Sequence, residues 1–365
     1  MIDQFDRWLV AETATALVIR EHLIPAEGKD GVLFPPTFAA GDGFPGGYNI
    51  DVFPDGSNVC LIDSVGSQAN RIEPLFATGD YVGLVPQIVV RAGKKKVKLL
   101  EAGHRAGDAI VRCSALQKEL RDAFQAALEG NAEPLAKIAP TSLIFGVWDS
   151  RDTQAKFPRL IASTVRAFNV RKLTRSAVFI PAVDYVGEGL LEEPADKKSK
   201  DTYAERGFVH VPASNTHGGV IADGGIRRDA ILHLSALRLL RAVEASRTLL
   251  LRRYVLGLAL TSFTYPAAGY LRQGCNLVLD PEKGRQFEIV MTDGTRGACT
   301  LDHSTALEFA RMAAREFGID PDRKITPGAP PDREVEFDKD LAKKDLSEAG
   351  SESRKGARKS TGKTA

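Results

Sequence analysis

Cysteine is scarce in this chain: four in 365 residues, at Cys60, Cys113, Cys275 and Cys299, with no two close enough for a CxxC pair. That excludes a disulfide scaffold and predicts reduced, mostly buried thiols in a cytoplasmic protein. Uninterrupted apolar sequence is scarce too. The most apolar stretch, Tyr254 to Leu271, contains Gly257, Thr261, Ser262, Thr264, Pro266 and Gly269. It suits a buried helix followed by a turn, not a membrane span. The N-terminal MIDQFDRWLVAETATALVIREHL lacks a basic leader and a continuous apolar core, so it does not read as a signal peptide.

Catalytic signatures are also missing. There is no GxSxG elbow and no GxxxxGK[ST] loop, and the glycines of GDGFPGG (41–47) lie in a loop with proline. The six histidines are scattered, with no HExxH; His104 and Asp108 stand four apart but lack a third and fourth ligand. No catalytic residue, metal site or cofactor is therefore expected. Asp63 and Asp149 are the carboxylates nearest to the candidate contact motifs, and structural roles are expected for them.

Net charge is nearly absent as well, at +2, which excludes a grossly basic or acidic protein. The sum conceals a partition. Residues 1–63 carry −7, residues 64–175 carry +8, and the remainder +1. A basic middle is the footprint of a polyanion-binding face. The acidic start, with Asp3, Asp6, Glu12 and Glu21, is expected to face a neighbouring copy.

Hydrophobic patterning predicts helices over 3–23, 109–128, 153–168, 229–243, 247–263 and 304–317, the last capped by Ser304 and stopped by Gly318. Strands are predicted at Val59–Asp63, across the hairpin 81–100, at Thr141–Trp148 and Ser176–Asp184, and in three short runs between 275 and 301. Residues 28–58 and 187–204 read as loops, and a β-ribbon insertion is placed at about 187–226. Strands and helices mix without strict alternation, which favours an α+β fold. One elaborated domain is expected over 1–327, followed by a disordered charged tail over 328–365.

Two segments carry the residue types that contact phosphate and ribose. Residues 63–76, DSVGSQANRIEPLF, follow a strand and offer Ser67, Gln68, Asn70 and Arg71. Residues 151–175 hold seven basic side chains, Arg151, Lys156, Arg159, Arg166, Arg171, Lys172 and Arg175, against one acid, Asp152. The lysines of 94–98 read as hairpin-tip solubility residues, and the arginines between 227 and 253 as the snorkelling face of amphipathic helices.

The strings SLIFGVWDSRDTQAKFPRLIASTVRAFNV (142–170), LIDSVGSQANRIEPLF (61–76) and LEAGHRAGDAIVR (100–112) together resemble the RAMP-superfamily backbone subunit of type I-U (I-G) CRISPR interference complexes. The likeness runs through roughly residues 1–320. It implies a modified RRM- or ferredoxin-like palm with finger and thumb insertions, the ribbon at 187–226 being the thumb candidate. It also implies a non-catalytic, CRISPR RNA-binding subunit that oligomerises along the guide spacer. Its implied partners are the guide RNA, target DNA through guide pairing, copies of itself, and the large and crRNA-end-binding subunits of the Cascade assembly. The alternative is a RAMP-type endoribonuclease, motivated by His104–Asp108 and by Asp149 beside Arg151.

Overall fold

A computed structural model describes residues 2–266, 269–323 and 330–347, without the side chains of 213–215. In chain order the principal elements are β1 (Ala14–Pro25), β2 (Asn58–Asp63), α1 (Val65–Ile72), α2 (Gln117–Leu128), β3 (Ile161–Phe168), β4 (Val170–Phe179), β5 (Val211–Ala222), β6 (Ile226–His233), α3 (Ala245–Thr264), β7 (Arg285–Met291) and α4 (His303–Phe317). The fold is mixed α+β, built on one large antiparallel sheet.

The sheet runs β7–β1–β6–β3–β2 and continues through Ile50–Val52. Beyond Glu21 the outer edge of β1 pairs instead with Cys275–Leu279. Arg296–Ala298 extends β7.

Three of these strands lie where helices were expected. β1 occupies about half of 3–23, and only Asp6–Val10 of that span is helical. β3 takes the second half of the helix predicted over 153–168, and β6 the first third of that over 229–243, where Leu234–Leu237 is helical. The common reason is tertiary. Each strand alternates inward and outward residues, most strictly β6, where Ile226, Arg228, Ala230 and Leu232 point inward. Each also carries β-branched residues and is paired along both edges, which outweighs an approximate 3.6 period.

The reverse happens at 141–148. The predicted strand is a buried helical turn, Pro140–Phe145, with Pro140 in its first turn, followed by Gly146 at φ +80° and the two-residue strand Val147–Trp148. Short apolar runs do not distinguish the two conformations. The helix predicted over 109–128 breaks into Ala109–Arg112 and α2. Of the hairpin expected over 81–100, Ile88–Ala92 pairs with Lys95–Lys98, while Gly79–Leu84 and Leu99–Glu101 are 3-10 turns. β2 and α3 agree with expectation. So does α4, except that Asp302 caps it instead of Ser304, accepting from the Thr305 N–H at 2.7 Å.

One sheet face is covered. Leu17, Ile19, Ile161 and Leu232 pack with Tyr254, Phe309 and Phe317 of the long helices. α3 and α4 approach closely at Gly257, where a Cβ would stand 2.7 Å from the Ala310 Cα. A smaller cluster, including Leu33, Tyr48, Cys60, Ile62, Val220 and Cys275, seats the base of the β4–β5 ribbon. Cys60, Cys113 and Cys275 are buried and Cys299 partly so; burial pushes the Cys60 thiol up to about 12 and that of Cys275 to about 11.

The ribbon starts earlier than expected. Its second strand lies within 187–226, but the first begins at Val170, and the connection holds a helix, Lys197–Glu205. Two of the four acids named in the N-terminal segment are spent inside the chain. Asp6 pairs with Arg253 at 2.7 Å and buried Glu21 with Arg228 at 2.5 Å, so neither is free to face a neighbour.

Part of the expected tail is ordered. Arg333–Glu336 pairs in parallel with Ile88–Ala92, and 339–347 is helical. Residues 328–329 and 348–365 lie outside the described residues.

Candidate nucleic-acid interface

The two contact motifs meet at the end of β2. Asp63 is 1% exposed and accepts from Gln68 Nε2 at 2.6 Å, Arg71 Nε at 3.1 Å and an Arg272 guanidinium nitrogen at 3.0 Å. Ser64 caps α1 by accepting from the Ser67 N–H at 3.2 Å. Gln68 is buried, and its Oε1 accepts from Ser163 Oγ of β3 at 2.9 Å. Gln68 is thus a strut between α1 and β3, with both ends of its amide engaged. Asn70 and Arg71 stay at the surface, and Asn70 Oδ1 accepts from Arg105 at 3.3 Å.

Arg105 went unnoticed in the sequence. It is buried at φ +56°, stacks 5.4 Å from the Phe145 ring and lies 2.7 Å from buried Glu73. It also donates to the Gly146 carbonyl at 3.3 Å. Burial pushes the Glu73 carboxyl up to about 7 and lowers the Arg105 guanidinium. The exposed Arg159 packs its stem against Gly146, so Arg159, Arg105 and Asn70 form one continuous patch.

The other basic residues separate into distinct places. Asp149 is buried and accepts from the Thr153 N–H at 2.8 Å and from Thr153 Oγ1 at 2.7 Å, which fixes the turn that presents Arg151. Arg151 lines an open cleft of about 350 Å3 with Arg112 and Arg121. Lys156 sits 5.4 Å from the centre of the exposed Trp148 ring. Arg171, Lys172 and Arg175 project from β4 of the ribbon, where Asp223 holds Arg171 at 2.7 and 3.0 Å and Arg175 lies 5.9 Å from the Phe34 ring.

Arg166 alone belongs to the uncovered face of the sheet. It stands in register with Arg227 and donates to Thr164 Oγ1 at 2.7 Å. Arg227 lies 4.8 Å from the Phe168 ring and donates to Asp229 at 2.8 Å; Arg20 reaches the same carboxylate at 3.2 Å. His22 is in register with Arg227 from β1. Arg20, Arg166, Phe168, Arg227 and Asp229 are all partly exposed. Arg20 and Arg227 were missed because their segments were taken for helices. The signal that would have found them is the period-two alternation of β1 and β6. Most of the other arginines between 227 and 253 are structural: Arg228 pairs with Glu21, Arg247 with Glu133, Arg253 with Asp6 and Glu316, and Arg252 donates to the Leu240 and Leu9 carbonyls.

Among the described residues, no three His, Cys, Asp or Glu side chains gather as a metal site, and no helix is long and apolar enough to cross a membrane. His104 is exposed and 3.5 Å from Asp108.

No curated protein matches the chain. A family model, that of CRISPR-associated protein GSU0053, matches residues 17–172. That span holds most of β1, all of β2, α1 and β3, and each sequence-predicted contact residue except Arg175. Over this segment, where the Asp63 strut, the Arg105 patch and Arg166 are built, the chain is similar to the CRISPR-associated GSU0053 family.

Proposed function

We propose that the chain is a guide-RNA-binding backbone subunit of a CRISPR interference complex, a non-catalytic protein that lines up in several copies along one guide and presents it to target DNA. The observation that carries this reading is Arg166 facing Arg227 on the uncovered side of the sheet. Like charges directly opposite one another destabilise a sheet. A phosphate lying across the pair would relieve that repulsion.

The sheet supports the reading. Its order β7–β1–β6–β3, with α3 crossing from β6 to β7, matches the order expected of a split βαβ or ferredoxin-like palm. Helices cover one face and leave the other free. Phe168 is the aromatic of that free face nearest the arginines, and the Arg227 guanidinium lies against it. This favours backbone gripping over base reading, as suits a holder of arbitrary guides. The ribbon β4–β5 is the thumb candidate and carries Arg171, Lys172 and Arg175 outward. A cytoplasmic location and the other Cascade subunits as partners belong to the same proposal. Of the side chains behind the ribonuclease alternative, Asp149 is buried and held by Thr153, which disfavours a role for it, while His104 and Asp108 remain side by side with His104 exposed.

Co-expression with a CRISPR array tests the proposal. Purified protein is expected to carry protected RNA whose length increases with the number of copies. Protein that emerges monomeric and free of nucleic acid overturns it.

A further inference from the structure

The ordered part of the C-terminal segment covers a basic surface outside the large sheet. Its strand Arg333–Glu336 lies along Ile88–Ala92, with Arg333 opposite Ile88 and Val335 opposite Val90. The chain then continues past Ser114: the Phe337 N–H donates to the Arg91 carbonyl and the Asp338 N–H to the Cys113 carbonyl, both at 2.8 Å. Its helical end, through Leu341, Lys344 and Asp345, forms one wall of the cleft that Arg112, Arg121 and Arg151 also line.

The charges along this path are complementary. Glu334 pairs with Arg91 and with Lys96, the latter at 3.1 Å; Glu336 meets Arg91 at 3.3 Å; Asp345 meets Arg112 at 2.8 Å. The body of the protein supplies acids of its own here: Glu101 meets Lys98 at 3.3 Å and Glu119 meets Arg333 of the segment at 2.7 Å. Asp152 reaches Arg121 at 3.4 Å, while Lys95 and Arg151 pair with no carboxylate among the described residues. A surface that needed only to hold a strand would not require this many cations, since exposed ion pairs contribute little to stability. Cations spaced along an edge and a cleft match a phosphodiester chain.

We propose that Arg91, Lys95, Lys96, Arg112, Arg121 and Arg151 form a second nucleic-acid site, for single-stranded RNA or DNA. Residues 332–345 occupy it in cis until such a strand displaces them. Val335 and Phe337, packed at the edge of the core, keep the segment seated when no strand is bound. Glu334, Glu336 and Asp345 stand where phosphates bind.

The test compares full-length wild type with the triple variant E334Q/E336Q/D345N, which keeps Val335, Phe337 and the backbone pairing. Binding of a labelled uridine oligonucleotide of about twenty residues is followed by anisotropy at about 50 mM salt. The triple variant is expected to bind at least about tenfold tighter. Adding K95E/K96E/R151E, all at exposed positions, is expected to abolish the gain. In wild type, the oligonucleotide is expected to speed amide exchange at 334–336. Equal affinity of wild type and triple variant, including no binding by either, overturns the proposal, as does a gain that survives K95E/K96E/R151E. The guide-binding reading fails separately. Wild type without co-purified RNA but with a tight-binding triple variant sinks that reading and leaves the second site standing. Co-purified RNA with no effect of the triple variant does the opposite.

Discussion

Arg166 and Arg227 sit directly opposite each other on β3 and β6, each held by a neighbour on its own strand, Thr164 for one and Asp229 for the other. Two guanidinium groups at one rung are an electrostatic cost that the fold does not need. Arg20 approaches the same place from β1 through the shared Asp229. A ligand of opposite charge would relieve that cost, and the pair lies at the centre of the proposed guide-binding face.

Replacing either arginine by alanine is therefore expected to weaken RNA binding with little dependence on sequence. Each lost phosphate contact should flatten the slope of log affinity against log salt by about 0.7. Thermal stability should hold or rise slightly, because the like-charge repulsion is removed. Filter binding across a salt series, with a melting curve for each variant, checks both. An unchanged slope in both variants would remove the pair from the interface.

Gln68 should behave in the opposite way. Its amide bridges Asp63 and Ser163 in the interior. Gln68→Ala leaves Asp63 short of one donor and Ser163 without its acceptor, and is expected to cost about 1–3 kcal/mol. RNA affinity per folded molecule should be unaffected. Urea denaturation combined with binding of the folded fraction separates these effects.

The base of the ribbon depends on Gly219. Its φ is +96°, its N–H donates to Tyr48 Oη at 3.0 Å, and a Cβ there would approach the Leu33 carbonyl oxygen to 2.6 Å. Gly219→Ala is expected to cost about 1–3 kcal/mol in backbone strain, before any clash is counted. Faster amide exchange in β4 and β5 than in β1 and β6 would show that the ribbon has come loose. Uniform behaviour across all four strands would argue against this local role.

His303 links stability to pH. Its ring nitrogens lie 2.8 Å from Tyr81 Oη and 3.0 Å from Thr264 Oγ1, and burial lowers its pKa despite the adjacent Asp302. The unfolded chain therefore binds the proton more readily. The stability from this group is present above the ordinary histidine value of about 6.5 and is lost as pH falls through the folded value. The His303 contribution should lower the melting temperature between pH 7 and pH 5, against an opposing rise from the raised Glu73 carboxyl, and His303→Gln should remove that downward contribution while lowering stability at pH 7. A variant whose pH profile matches wild type would exclude His303 as a source of the slope.

Some of this protein was decided locally. β2 and its polar sequel DSVGSQANR, the lysine hairpin, the stop of α4 at Gly318 and the buried helix α3 all follow from short-range chemistry: turn residues, caps and continuous apolar content. So does the partition of charge, with an acidic start and a basic middle. The resemblance in residues 61–170 likewise sits in contiguous strings.

The sheet was not decided locally. β1, β3 and β6 carry patterns that fit a helix nearly as well as a strand, and only pairing on both edges selects the strand. That choice sends Arg20, Arg166 and Arg227 to one uncovered face, which no window of ten or twenty residues could show. Burial made the other decisions. It turned Gln68 from an apparent contact residue into a strut, spent Asp6 and Glu21 on arginines more than 200 residues away, and laid an apparently unstructured acidic segment along the lysine hairpin. Each depends on which residues meet across the fold, and that is a property of the packed chain as a whole.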